Sequence, residues 1–494
     1  MNSLQQSTAG NLPLRDKELL RQACYINGAW ISPANIDAQV IFNPATQQRI
    51  GAVPNCSEIE TRVAIDAARA AMPEWSALLA ADRSRLMRRW FDLLIENIDD
   101  LALILTTEQG KPLSEARGEI RYGAGFIEWF AEEAKRVYGD IIPTYMKDRR
   151  LMVIRQPIGV VGIITPWNFP VAMIARKCAA AMAAGCTVVC KPAPETPFSA
   201  LAMAELAQRA GIPAGVFNVV TGDAVKIGGE LTSNPVVRKI SFTGSTRIGV
   251  LLASQCTPSL KKVSLELGGN APFIVFDDAD LDAAVQGAMI SKFRNSGQTC
   301  VCTNRFLVQA GVYDEFVKRL ALAVSTLKVG NGVEPDITQG PLITHRAVEK
   351  VESHLADAMA QGARVVIGGK RHALGGTFFE PTVIRDAKSS MLMAHEETFG
   401  PVAPVFKFVT EAEALEMANA SEFGLASYVY TRDMSRAWRV SEQLESGMVG
   451  VNVGLISTEV APFGGVKMSG MGREGSKYGI DDYTEIKYMC FGVG

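Results

Sequence analysis

The feature that most constrains the fold is a regular alternation of apolar strands and helical segments that begins near Ile158. The first strand, VVGIIT (160–165), is apolar along its whole length, as a strand buried on both faces must be. Short helical segments separate it from four further strands, TVVCKP (187–192), FNVV (217–220), KISFTG (239–244) and KVSLEL (262–267). This alternation predicts a doubly wound parallel sheet.

A second α/β block begins at APFIVF (271–276), which places a boundary between the blocks at Gly268–Gly269. In this block, four apolar residues share one helix face, namely Phe316, Leu320, Ala323 and Leu327. Three further strands follow, at 363–369, 426–431 and 448–453. Ahead of both blocks, three amphipathic stretches (57–75, 81–97 and 114–137) predict helices, and 141–145 and 151–156 predict a hairpin.

Composition excludes several classes of protein. The 494 residues carry 50 Lys+Arg and 52 Asp+Glu, a net charge of −2 that argues against a dedicated nucleic-acid binder. The first 25 residues lack the apolar stretch of a secretory signal, and the longest apolar stretch, 178–190, is too short for a membrane span. The nine scattered cysteines fit a reducing compartment, so we expect a cytoplasmic protein. The four histidines lack metal-ligand spacing, so we expect no metal site.

Four side chains near the ends of predicted elements carry groups that suit catalysis or ligand binding. Cys300 lies in the polar stretch FRNSGQTCVC (293–302); it is either a nucleophile or, as lone cysteines more often are, a small core residue. Glu266 ends a strand before two glycines and is either an exposed strand end or a positioned base. Asn168 in TPWNFP (165–170) and Lys191 both follow strands, so we expect them to line one crevice at the carboxyl edge of the sheet.

Two glycine motifs need separate interpretation. GMGREG (470–475) matches GxGxxG, but only 19 residues follow it, which leaves no room for the βαβ unit of a dinucleotide loop. GSTRIG (244–249) opens a helix after a strand and lacks the Walker A lysine. Its backbone N–H groups suit a phosphate, and an ordinary glycine turn is an equally good interpretation.

Seven motifs, in order, resemble those of the aldehyde dehydrogenase superfamily: TPWNFP, KPA (191–193), FTGS (242–245), LELGG (265–269), GQTC (297–300), EETFGP (396–401) and PFGG (462–465). The resemblance implies an α/β fold of two doubly wound domains and a small β oligomerisation arm. It places an NAD(P)-binding domain in 1–138 and 157–268, a catalytic domain in 269–475, and the arm and tail in 139–156 and 476–494. Because a two-stranded hairpin is marginal alone, we expect a homodimer or homotetramer.

The resemblance implies a role for each catalytic candidate. Cys300 would attack the aldehyde carbon to give a thiohemiacetal, whose oxyanion the Asn168 amide and the Cys300 backbone N–H would stabilise. Hydride transfer to NAD(P) would leave a thioester, and Glu266 would activate the water that hydrolyses it.

Cofactor contacts are implied in the same way. Lys191 would bind the adenosine ribose and Ser245 the pyrophosphate, while Glu397 would bind the nicotinamide ribose hydroxyls. Phe399 would pack by that ribose, and Trp167 near the pyrophosphate. Pro194 stands where NAD-preferring members often carry Glu, so NADP is slightly favoured over NAD, although neighbouring Glu195 could partly replace the missing acid.

Within the superfamily, the sequence is most similar to the succinate-semialdehyde dehydrogenases. Arg176, Arg294 and Ser457 match the residues that hold the far carboxylate of the semialdehyde, and two guanidiniums bind one carboxylate well. Glutarate semialdehyde is one methylene longer and stays an alternative, as does a broader range of aldehydes. Cys302 matches a cysteine that in some relatives forms a disulfide with the nucleophile; an inert neighbour is as good an interpretation.

Two other classes compete with the dehydrogenase. A cofactor-free thiol hydrolase would leave Lys191, Ser245 and Glu397 without a purpose. A non-catalytic binding protein on the same fold would be expected to have lost Cys300, Glu266 or Asn168, and all three are present.

Overall fold

The computed structural model describes residues 12–34 and 36–493, so residues 1–11 and Gly494, the outer ends of the predicted first domain and tail, lie outside them. The described chain opens with two hairpins, β1 (Cys24–Ile26) with β2 (Ala29–Ile31) and β3 (Ala38–Phe42) with β4 (Arg49–Pro54). Four helices follow: α1 (Glu58–Ala77), α2 (Ala80–Glu96), α3 (Ile98–Gln109) and α4 (Leu113–Glu133). Ser57 begins α1 with a capping box, because its side chain and that of Glu60 each accept a backbone N–H.

Helix α3 is the one helix of this region that the amphipathic pattern does not predict. Nine of its 12 residues are buried, so it lacks the polar face on which a 3.6-residue period depends. It ends at Gly110, whose φ of +100° suits glycine. The predicted hairpin is present as β5 (Asp140–Ile142) and β6 (Arg149–Pro157), paired antiparallel.

The first large sheet has the predicted doubly wound core. Its strands are β7 (Val160–Ile164), β8 (Thr187–Lys191), β9 (Phe217–Val219), β10 (Val237–Thr243) and β11 (Lys262–Glu266). They lie parallel in the order β9-β8-β7-β10-β11, and the helices between them are α5 (Ala172–Ala184), α6 (Pro197–Arg209), α7 (Ala224–Ser233) and α8 (Thr246–Cys256). The strand order reverses between β7 and β10, so their carboxyl ends open a crevice.

The second sheet is built from the second α/β block. Its strands are β12 (Ala271–Val275), β13 (Thr303–Gln309), β14 (Arg364–Ile367), β15 (Thr382–Ala387), β16 (Val402–Phe408), β18 (Ala426–Tyr430) and β19 (Met448–Val451), while β17 (Phe423–Gly424) lies outside it. Its helices are α9 (Leu281–Phe293), α10 (Tyr313–Val324), α11 (His345–Ala360), α12 (Leu392–His395), α13 (Glu411–Asn419) and α14 (Met434–Gln443). The order is β14-β15-β16-β13-β12-β18-β19, and only β14 runs antiparallel to its neighbour.

The last strands tie the two blocks and the arm together. Strand β20 (Val466–Lys467) pairs with β17, and β21 (Gly470–Met471) adds an antiparallel edge to β11. Strand β22 (Thr484–Gly492) pairs along the whole of β6, so the arm is a three-stranded sheet. Within the part of the chain that the structure describes, no helix is both long and apolar enough to cross a membrane.

Candidate active site

Cys300 lies at the junction of two cavities, one on each side of its side chain. The loop that carries it follows α9 and turns sharply, because Asn295 and Ser296 adopt left-handed φ values of +52° and +54°. Such strained backbone is common where a functional side chain must be aimed. Cys300 belongs to the buried core of the second block and also lines both cavities.

The larger cavity, of about 240 Å³, opens at the crevice between the carboxyl ends of β7 and β10. Trp167 and Phe399 form an edge-to-face pair at one side, with ring centroids 5.6 Å apart. The cavity combines loop residues of both blocks, namely Pro166, Trp167, Asn168, Thr243, Gly244, Ser245, Leu267, Gly268, Cys300, Glu397 and Phe399.

This cavity fits a dinucleotide. Ser245 begins α8 without capping it by its own side chain, so backbone N–H groups of the first turn are available to an anion. The hydroxyl of Thr243 is buried there without a hydrogen-bond partner. Glu397 accepts the backbone N–H of Gly269 at 3.3 Å, and burial raises its pKa to about 7.

The narrow second cavity is lined by the predicted substrate residues. It brings Arg176, Arg294 and Ser457 together with Cys300, and its other walls are Tyr122, Phe169, Met173, Thr299, Val301 and Phe463. Each guanidinium lies over an aromatic ring: Arg176 is 4.3 Å from the Phe463 centroid and Arg294 is 5.1 Å from that of Phe169. Two positive charges thus lie in the cavity that Cys300 also lines.

Asn168 is buried and lines the larger cavity, and its side-chain amide contacts the loop that carries Cys300. Its Nδ2 donates to the carbonyl of Gln298 at 3.1 Å, which leaves the second N–H free. The backbone carbonyl of Asn168 accepts from the Lys111 ammonium at 2.7 Å and from the Asn295 side-chain amide at 3.0 Å. Glu119 in turn accepts from Lys111 at 2.7 Å, so a buried ion pair stands behind the amide.

The carboxylate of Glu266 is buried at the end of β11, and its Oε2 has no hydrogen-bond partner. Burial, reinforced by the nearby Glu474, raises the pKa of Glu266 well above its ordinary value. Burial also raises the pKa of the Cys300 thiol to about 12, against the opposing effect of the Arg176 guanidinium. Both groups therefore become better proton acceptors as the pH rises.

Glu474, in GMGREG, contacts Arg176 of the narrow cavity, and sequence reasoning does not identify it as a site residue. Its carboxylate forms ion pairs with Arg176 and with Lys177, all three side chains being buried. The prediction that GMGREG is not a dinucleotide loop agrees with its position, because part of it forms the edge strand β21 and it lies outside the larger cavity.

Four predicted residues lie outside the two cavities. Lys191 ends β8 beside β7, buried, with its Nζ donating to the Pro192 carbonyl, and burial lowers its pKa to about 8. Pro194 is half-buried, and Glu266 lies behind the larger cavity. Cys302 donates its thiol to the Lys292 carbonyl at 3.3 Å. Among the described residues, no three His, Cys, Asp or Glu side chains cluster as metal ligands.

Comparison with known proteins identifies the family of the chain. A model of the aldehyde dehydrogenase family matches residues 30–489. The glutarate-semialdehyde dehydrogenase of Pseudomonas aeruginosa is 63% identical over 481 residues, which are 97% of this chain and 100% of that protein. The NADP(+) succinate-semialdehyde dehydrogenase GabD of Escherichia coli is 61% identical over 482 residues, 98% of this chain and 100% of that protein.

A solved structure gives the same result for the fold. The crystal structure of succinate-semialdehyde dehydrogenase from Burkholderia pseudomallei superimposes with a TM-score of 0.97 at 62% identity, covering 97% of this chain and 100% of that one. The α/β fold implied by the seven motifs is thereby confirmed. The chain belongs to the aldehyde dehydrogenase family, whose members oxidise aldehydes with NAD(P).

Proposed function

We propose that this enzyme oxidises succinate semialdehyde to succinate, with NADP favoured over NAD. The observation that carries the proposal is the position of Cys300 between the larger cavity, at the carboxyl ends of β7 and β10, and a narrow cavity that holds two guanidiniums. A substrate with an aldehyde at one end and a carboxylate at the other would satisfy both. Relatives of this chain named for succinate and glutarate semialdehydes support the same substrate class.

The reaction begins when the Cys300 thiol loses its proton to solvent and its sulfur forms a bond to the aldehyde carbon, so that the electron pair of the carbonyl double bond moves onto the oxygen. The free N–H of the Asn168 amide and the backbone N–H of Cys300 stabilise the negative oxygen, as oxyanion donors do. The bound dinucleotide supplies the hydride acceptor. Glu266, whose raised pKa suits a general base, then takes a proton from the water that hydrolyses the thioester.

The substrate carboxylate is held at the opposite end of the narrow cavity. Arg176 and Arg294 provide the charge, and the Ser457 hydroxyl provides a further donor. Glutarate semialdehyde is the second candidate substrate, favoured by the 63% identity to a protein named for it. One methylene changes discrimination by only about 1–3 kcal/mol, so we expect measurable turnover of both.

The preference for NADP rests on the surroundings of Lys191. Its pKa of about 8 reflects burial, and a 2′-phosphate beside it would restore the full positive charge. Pro194 presents no carboxylate that would repel such a phosphate. The name of the Escherichia coli relative points the same way.

Steady-state kinetics test the substrate proposal. Succinate semialdehyde, glutarate semialdehyde and butanal are each assayed with NADP and with NAD. We expect kcat/KM for succinate semialdehyde to exceed that for butanal by at least about 100-fold, since two charge-assisted contacts are at stake. Equal values for these two substrates would refute a carboxylate-binding cavity.

We also propose a homo-oligomer that covers the arm. Ile141 on β5 is 83% exposed, and Ile486 and Tyr488 on β22 are 68% and 55% exposed. Apolar side chains on an unpaired edge favour burial against a second subunit. Light scattering that found only a 53.3 kDa species would refute this.

A further inference from the structure

Tyr122, on α4, lines the narrow cavity together with Arg176 and Arg294, yet it belongs to none of the seven motifs. Its ring is held edge-to-face against Phe126, with centroids 4.9 Å apart. The same ring packs on the small cluster of Phe169, Ala172 and Met173 that walls the cavity. These contacts fix the ring, and with it the position of the phenol oxygen.

The phenol oxygen of Tyr122 is buried beside the Arg176 guanidinium, but the two groups form no hydrogen bond of good geometry. The Nη1 and Nη2 atoms of Arg176 are also buried without a hydrogen-bond partner, in the same cavity. Buried polar groups in native proteins almost always have partners, so unpaired ones call for an explanation. Arg176 can only donate to the phenol oxygen, so the O–H of Tyr122 stays free to donate to a ligand in the cavity that Cys300 also lines.

The chemistry of the ligand follows from the charges. Two guanidiniums can only donate, so the ligand's far end must accept. Burial raises the pKa of the Tyr122 phenol, although Arg176 and Arg294 oppose that shift. The phenol therefore stays protonated and is itself a donor. A carboxylate, with two oxygens and about four acceptor positions, can accept from a phenol as well as from two guanidiniums.

We infer that Tyr122 donates a hydrogen bond to the terminal carboxylate of the substrate and is a specificity-determining residue of this enzyme. The inference rests on the proposed function, since it needs a substrate with a carboxylate opposite the aldehyde. It adds a donor from α4 to those that α5 and the cysteine loop contribute. Tyr122 thus distinguishes charged from uncharged aldehydes without touching the reacting carbon.

The test is Tyr122→Phe in the full-length enzyme, which removes one oxygen and keeps the ring. We expect kcat/KM for succinate semialdehyde to fall about ten- to hundredfold, the usual effect of a hydrogen bond to a charged group. For butanal, kcat/KM should stay within about twofold, because no charge is there to lose a donor. The affinity for the product succinate, measured by calorimetry, should fall by the same factor as kcat/KM for the semialdehyde.

Trp129→Phe is the matched control. Trp129 lies on the same helix and also buries an unpartnered N–H, but it does not line the cavity. We expect Trp129→Phe to leave kcat/KM unchanged for both substrates. Butanal turnover in each preparation reports that the protein is folded and active.

The outcomes separate the inference from the proposed function. If Tyr122→Phe leaves kcat/KM for the semialdehyde unchanged, or lowers kcat/KM equally for both substrates, the phenol only lines the cavity and the inference is wrong. If instead the unaltered enzyme does not prefer the semialdehyde to butanal, and Arg176→Leu changes nothing, the proposed function itself fails. A fall in kcat/KM that is confined to the charged substrate supports both the inference and the proposed function.

Discussion

Replacing Lys111 by Met tests whether the buried ion pair behind Asn168 matters for catalysis. Lys111 follows α3, and its ammonium, fully buried, lies 2.7 Å from both Glu119 Oε2 and the carbonyl oxygen of Asn168. Methionine nearly preserves the length of the side chain and removes the charge. The change therefore breaks two charge-assisted hydrogen bonds and leaves Glu119 without its counterion.

The effect on stability follows from the burial of the pair. Removing one partner of a buried ion pair typically destabilises a protein by about 3–5 kcal/mol. Glu119 Oε1 still accepts the backbone N–H of Val171 at 2.9 Å, which places Lys111→Met at the lower end of that range. In a domain of 150–250 residues, each kcal/mol shifts Tm by about 2–4 °C, so we expect a loss of about 6–12 °C.

The effect on rate has an upper bound. Loss of a whole oxyanion donor costs about 2.7–4 kcal/mol, and Lys111 acts only by positioning that donor. We therefore expect kcat to fall by between about 10-fold and 100-fold, while KM for the semialdehyde stays nearly constant because Arg176 and Arg294 are untouched.

The assay is thermal unfolding together with single-turnover hydride transfer. Lys135→Met is the matched control, since Lys135 pairs with Glu132 at 2.6 Å with both side chains 42% exposed. An exposed pair contributes at most about 1 kcal/mol, so neither Tm nor rate should change much. A Lys111→Met enzyme with a lower Tm but an unchanged rate would show that Asn168 does not depend on Lys111 for its position.

Three further predictions address the base, the cofactor and the second cysteine. The Glu266→Gln enzyme should give one burst of hydride transfer and then stall, and steady turnover without a burst would contradict this. In the unaltered enzyme, kcat should fall as the pH drops, because burial raises the pKa of Glu266 and only its carboxylate accepts a proton. Pro194→Glu should raise KM for NADP about tenfold, because the carboxylate repels the 2′-phosphate, and should change KM for NAD less. Equal changes in the two KM values would show that position 194 does not distinguish the two cofactors. The Cys302→Ala enzyme should be as sensitive to peroxide as the unaltered enzyme, because the Cys302 thiol donates to the Lys292 carbonyl and burial raises the pKa of that thiol. If the variant instead loses the inactivation that added thiol reverses, Cys302 forms a disulfide with Cys300.

The sequence predicts the parallel strands of the first large sheet well because each is a short apolar run that a strand buried on both faces requires, but it misses β13, β15 and β16 of the second sheet. Strands β7 to β11 agree with their predicted positions to within a few residues. The direction of β14 could not be predicted, because pairing partners are set by the chain's return path and not by local pattern. The pairing of β22 with β6 joins residues more than 300 positions apart, and no local signal encodes it.

For the site, the sequence predicts the residues that carry recognisable motifs and misses those that support them. Cys300, Arg176 and Arg294 were expected together and do line one cavity. Sequence reasoning does not identify Lys111 or Tyr122, because lysine is ordinarily exposed and tyrosine is only intermediate in its tendency to be buried. What distinguishes them is burial against other segments, which only the tertiary structure shows.

The LELGG motif explains how two separate blocks can share one reaction centre. A Cβ at Gly269 would lie 2.5 Å from the carbonyl oxygen of Cys300, so only glycine lets the cysteine loop approach this closely. A Cβ at Gly268 would lie 3.3 Å from Glu397 Oε2, and the N–H of Gly269 donates to the same carboxylate. The two glycines follow Glu266 after one residue, Leu267, at the crossing between the sheets. One five-residue segment therefore carries the proposed base, admits the nucleophile and positions the carboxylate at the dinucleotide cavity, which is why the boundary between the blocks coincides with the candidate active site.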